Sequence, residues 1–128
     1  MALCPMKFDD GAGNMLTGTN ITGSVSVPSG TSTKVSEITL TPGTWLLVCN
    51  GNWSTNATGA RQISIQNAIN TGREASATTC GLANKEVNQQ YFTIQPISSN
   101  TTIELYAYQN SGSNITIYPA MRATKISG

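Results

Sequence analysis

Turn-forming tripeptides divide this chain into short runs: Thr41-Pro42-Gly43, Asn70-Thr71-Gly72, Ser98-Ser99-Asn100 and Asn110-Ser111-Gly112. The residues between them are rich in Val, Ile, Thr, Tyr and Trp, which fit a pleated, half-buried strand better than a helix. No segment longer than about ten residues keeps a 3.6-residue apolar period without Gly, Pro or β-branched interruption, so helix is excluded as a main element. The expected strands are Lys34 to Leu40, Thr44 to Trp53, Arg61 to Gln66, Ala75 to Thr79, Val87 to Ile94, Thr101 to Gln109 and Asn114 to Ile126. That pattern predicts an all-β fold, a two-sheet jelly-roll sandwich built on one core. Residues 1–30, rich in Gly, Asn, Thr and Ser, read as an extended lead-in that pairs briefly near Val25 and Val27 and joins an upstream stalk. Residues 31–128 read as the head domain.

Two strands are apolar on both faces, and this bears on assembly. Arg61 to Gln66 alternates cleanly, with Ile63 and Ile65 on one side and Gln62, Ser64 and Gln66 on the other, as in a sheet with one wet face. Thr44 to Trp53 instead places Trp45, Leu47, Cys49 and Trp53 on one face and Leu46 and Val48 on the other. Thr101 to Gln109 sends Ile103, Leu105 and Ala107 one way and Tyr106 and Tyr108 the opposite way. A second apolar face needs cover, from an overlying loop or from another copy of the chain. Leu46, Val48, Tyr106 and Tyr108 are therefore the candidate residues of a protein interface.

Composition decides which functions to set aside. Charged residues make up 10% of the chain and the net charge is +1. Lys7, Lys34, Arg61, Arg73, Lys85, Arg122 and Lys125 are scattered singly, so no basic stripe exists to follow a nucleic-acid backbone. Ser, Thr, Asn, Gln and Gly supply about half of the residues, a neutral polar surface in place of a charged one. The longest apolar runs fall short of the roughly 18 residues that cross a bilayer, and no membrane insertion is expected. An apolar leader is missing before Asp9 and Asp10. Cys4, Cys49 and Cys80 match no zinc or disulfide spacing and read as reduced thiols of a chain made in a bacterial cytoplasm.

The chain has no histidine, which removes the commonest general base and zinc ligand. Glu74, Glu86 and Glu104 single out no acid pair of glycosidase type, and Cys49 lies in mid-strand with no base to activate it. Asp9, Asp10, Gly11 and Asn14 lack the ligand pattern of a calcium loop and read as a solvated turn. The expectation is a non-enzymatic chain with no cofactor and no metal. Asn-x-Ser/Thr sequons at Asn20, Asn52, Asn56, Asn100 and Asn114 are what an Asn- and Thr-rich chain produces by chance.

What remains is binding. Amides, hydroxyls, guanidinium groups and rings in loops suit the hydroxyl edges and apolar faces of saccharides. Asn52, Trp53, Asn56, Arg61 and Arg73 sit in or beside the loops after the central strand, and Gln109, Asn110, Ser111 and Asn114 form another tip. These nine are the candidate ligand-binding residues. Trp53 reads equally as a core or interface tryptophan at a strand end.

The stretches LTPGTWLLVCNGNW, NATGARQISIQNA and TIELYAYQNSGSNITIYPAMRATKI together resemble the jelly-roll superfamily of tumour necrosis factor and the globular head of complement component one, subcomponent q, in its phage and bacterial versions. The resemblance covers about three-quarters of the chain, and its specificity lies in the order and spacing of the pieces. It implies that the Pro-Gly-aromatic run opens a central strand of an inner sheet, that the Gly-x-Arg run forms an outer strand, that the Tyr-x-Tyr-Gln strand lines a threefold axis, and that the chain is a homotrimer with Leu46, Val48, Tyr106 and Tyr108 toward the subunit contacts. With no leader and no disulfide pair, the member implied is a phage tail-fibre or baseplate head that binds host-surface saccharide. The alternative is a structural trimerisation cap of a fibre or of a bacterial collagen-like surface or spore-coat protein.

Overall fold

The computed structural model describes residues 15–17, 19–20, 23–66, 76–80 and 85–128. Ten strands follow in chain order: β1 Met15–Thr17, β2 Thr19–Asn20, β3 Val25–Val27, β4 Thr33–Leu40, β5 Gly43–Trp53, β6 Ala60–Gln66, β7 Ser76–Cys80, β8 Val87–Ile97, β9 Thr101–Gln109 and β10 Ile115–Ser127. They form two five-stranded antiparallel sheets. Sheet A has the order β1, β10, β5, β8, with β3 pairing beside β1 along the same edge of β10. Sheet B has the order β2, β4, β9, β6, β7. Every connection except β6 to β7 passes from one sheet to the other, the winding of a jelly-roll sandwich.

The inward faces make one core. β5 contributes Trp45, Leu47, Cys49 and Trp53, and β10 adds Ile115, Ile117, Met121 and Ala123. Sheet B answers with Val35, Ile38 and Leu40 from β4, Ile63 and Ile65 from β6, and Ile103, Leu105 and Ala107 from β9. Gly51 takes an inward position of β5 where a Cβ would stand 2.8 Å from Ile117 Cδ1 and 3.0 Å from Ile63 Cγ2. Its missing side chain lets residues of both sheets meet over the strand.

The seven expected strands are all present, and three further short strands come from the lead-in, adding to the edges of both sheets. β8 runs on to Ile97, past Pro96, which a sequence reading takes as a stop. It is the edge strand of sheet A, where a residue without an N–H is tolerated. Pro119, in the middle of β10, is the register partner of Gly51 on β5 and lies between the segments paired with β3 (Ile115 to Ile117) and with β1 (Arg122 to Thr124).

β4 carries a bulge between Lys34 and Ser36. Val35 and Ser36 are consecutive and both buried, so Lys34 and Glu37, which strict alternation would send to opposite faces, emerge on the same one. Lys34 Nζ lies 2.6 Å from Glu37 Oε2 and 2.8 Å from Glu104 Oε2, and Glu37 and Glu104 are direct cross-strand partners. An acid pair therefore does converge, contrary to the sequence expectation that the carboxylates are dispersed. It converges on one ammonium on an open sheet face, where both carboxylates are held as hydrogen-bond acceptors rather than aimed at a substrate.

Candidate functional site

The strand directions bring the β3–β4 turn, the β5–β6 loop (residues 54–59) and the β9–β10 loop (residues 110–114) to one end of the sandwich, which unites the two groups of candidate residues. Asn110 Oδ1 accepts the Ala60 N–H at 2.6 Å, Asn56 Nδ2 donates to Ser113 Oγ at 3.3 Å, and the Gly112 N–H donates to Ser29 Oγ at 2.8 Å. Gly59, at φ +75°, sits against Asn110, and a Cβ there would stand 2.8 Å from the Asn110 carbonyl oxygen. Only a glycine allows that approach and that backbone angle together.

Several candidates hold this end together and do not face outward. Arg61 is wholly buried, and its guanidinium donates to the Thr58 carbonyl at 2.7 Å and the Asn56 carbonyl at 2.5 Å. It stands on the core face of β6 with Ile63 and Ile65, so alternation already placed it inward. Trp53 is wholly buried and donates through Nε1 to Gln89 Oε1 at 2.7 Å, which makes it the core tryptophan of the two readings. Gln109 is also buried; its Nε2 donates to the Val27 and Ser113 carbonyls, and its Oε1 accepts the Ser111 N–H. A surface ligand does not reach these three. Asn56 and Ser111 are half-buried and bonded within the loops, while Asn110 and Asn114 are exposed. Asn52, half-buried, donates to Glu86 Oε2 at 3.1 Å. Arg73 lies outside the described residues, as do Cys4 and the Asp9–Asp10 pair.

The four candidate interface residues divide between the two sides of the sandwich. Leu46 and Val48 face outward on sheet A, whereas Tyr106 and Tyr108 face outward on sheet B, beside Lys34, Ser64 and Gln62. Sheet A gains two residues that the sequence reading missed. Phe92 is 60% exposed and Ile94 57%, and their Cα partners on β5 are Val48 and Leu46. Among the described residues the five exposed large apolar ones, these two with Leu46, Tyr118 and Ile126, all belong to strands of sheet A.

β8 is mixed on both faces. Gln89 and Gln95 are buried, 2% and 3% exposed, on the core side, while Phe92 and Ile94 stand in solvent. Gln89 is fully engaged there, accepting from Trp53 and donating to the Arg61 carbonyl at 2.8 Å. The run VNQQYFTIQPI contains no charged residue, although edge strands usually carry charge that blocks edge pairing. The alternation of Asn88, Gln90, Phe92 and Ile94 was available in the sequence. What concealed it was a glutamine at two of the inward positions, among Val87, Tyr91, Thr93 and Ile97.

No protein-family model matches the chain, and no curated protein matches it. Among solved structures the fold is similar to a chain in the structure of the Gx strain of infectious bursal disease virus, with a TM-score of 0.62 and 11% sequence identity over 90% of this chain and 33% of that one. The chain thus spans about a third of the length of that chain. At such low identity the likeness is one of fold, the two-sheet antiparallel sandwich.

Proposed function

We propose that this chain is a non-enzymatic, homotrimeric binding head of a virion, the receptor-binding tip of a phage tail fibre or baseplate, and that it attaches to host-surface carbohydrate. The observation that carries the reading is the outward apolar patch of Phe92, Ile94, Leu46 and Val48 across β8 and β5. An uncharged edge strand that turns Phe92 and Ile94 into water is a contact surface for another copy. The likeness to a fold found in a virus structure and the motif resemblance point the same way. A closed ring of three uses two different patches on each copy, and the sheet A face supplies one of them. That patch is Leu46, Val48, Phe92 and Ile94, with Tyr106 and Tyr108 outside it.

The test is the mass in solution by light scattering on a sizing column. A mass near three times 13.5 kDa is expected, and a clean monomer at high protein concentration overturns the assembly. Adhesion is tested separately with the native trimer on candidate host cells and on a glycan array. A stable trimer that adheres to neither is the structural fibre cap of the alternative reading.

A further inference from the structure

The outer face of sheet A is divided along its length. Reading across β10, β5 and β8, the pairing aligns Thr124, Leu46 and Ile94, then Arg122, Val48 and Phe92, then Ala120, Asn50 and Gln90, and last Tyr118, Asn52 and Asn88. The first two rows hold the apolar patch on β5 and β8, bordered by Thr124 and Arg122 of β10. The last two, beside the loop end, are amides around one tyrosine.

We propose that these two rows are a binding platform for an uncharged pyranose, with the Tyr118 ring as its stacking surface. The inference rests on the carbohydrate-binding reading above and places its site on the sheet face instead of the loops. Tyr118 is 51% exposed, and its neighbour two residues along the same face is the small Ala120. Asn52 lies between Tyr118 and Asn88 and is oriented by its hydrogen bond to Glu86. Glu86 is exposed and brings a carboxylate that accepts hydroxyl protons. The side chains of Asn88 and Gln90 are exposed and make no hydrogen bond among the described residues. The amides of the loop end differ in this respect, because Asn56, Asn110 and Ser111 are engaged in joining one loop to the next.

Primary amides both donate and accept, as sugar hydroxyls do, and an aromatic ring packs against the C–H face of a pyranose. At the centre of the third row, Asn50 Oδ1 is buried and accepts no hydrogen bond from the described residues.

The platform is tested with the full-length chain by saturation-transfer NMR against methyl α-glucopyranoside, methyl β-galactopyranoside and N-acetylglucosamine, followed by an array of uncharged oligosaccharides. Binding of at least one probe is expected, weakened about tenfold in Tyr118→Ala and kept within about twofold in Tyr118→Phe, the scale of one aromatic contact. Asn52→Ala should weaken it as well, while the loop variant Ser111→Ala with Asn114→Ala should not. An unchanged amide NMR spectrum identifies a folded variant. Binding that survives Tyr118→Ala and is lost in the loop variant overturns the platform and leaves carbohydrate binding in place. Absence of binding to every probe and every array glycan overturns both.

Discussion

At the scale of single residues, burial redefines what polar groups do. Arg61 has the fork of donors that recognises ligands, yet both donations recorded for it go to carbonyls of the loop that follows Trp53. Arg61→Ala should leave those carbonyls unmet and lower stability by about 2–4 kcal/mol, read as a fall in denaturation midpoint at fixed protein concentration. Cys49 is the other case. Burial pushes its thiol from 9.0 up to about 12, because the thiolate cannot be solvated inside the core. The native chain should resist iodoacetamide at Cys49 at pH 8 and react there only on unfolding, as peptide mass mapping would show. The unfolded chain releases this proton near pH 9 and the folded chain near 12, so the stability tied to Cys49 is intact below about pH 9 and falls as pH rises through that window.

At the scale of elements, register decides which side chains meet. The bulge in β4 gathers Lys34, Glu37 and Glu104 on one face, and hydrogen bonds from Lys34 to Glu104 first and Glu37 second hold the ammonium well above its ordinary pKa. The folded value is the higher one, so the contribution of Lys34 is complete below pH 10.5 and is lost as the solution is made more alkaline. Removing the cation leaves two carboxylates directly opposed across strands. Lys34→Met should therefore lower the melting temperature, with the loss reduced by added salt and reversed by Glu37→Gln in the same chain. An unchanged melting temperature in Lys34→Met at low salt would show the triad to be idle. Strict strand alternation separates Lys34 from Glu37, so nothing in the residue pattern announced this cluster.

At the scale of the whole molecule, the two sheets have different outer surfaces. Sheet B is covered by Lys34, Glu37, Tyr106, Glu104 and paired hydroxyls such as Thr39 and Thr102, which lie 2.8 Å apart. Sheet A exposes Phe92 and Ile94. Phe92→Lys with Ile94→Lys should convert the assembly to monomer by light scattering while leaving far-UV circular dichroism intact, since neither side chain contributes to the core. The matching changes on sheet B, Tyr106→Ser with Tyr108→Ser, should leave the mass unaltered. Dissociation by the second pair and not the first would move the contact to the other side of the sandwich.

Strand placement was legible before any coordinates, because turn residues and the two-residue period act locally: β9 has the limits read from the residues alone, and the other expected strands differ mainly at their ends. The candidate site was legible only in part. Asn56, Asn110, Ser111 and Asn114 could be assigned to loops from their own chemistry, and they do gather at one end. Alternation puts Trp53, Arg61 and Gln109 on the core faces of their strands, but the partners that hold them there, such as Val27, 82 residues from Gln109, are encoded by no local pattern. The exposed apolar half of sheet A was hidden for the same reason. Alternation separates the two faces of a strand, but only the second sheet, packed against one of them, decides which face is the core. In β8 that choice buried the glutamines and left Phe92 and Ile94 outside.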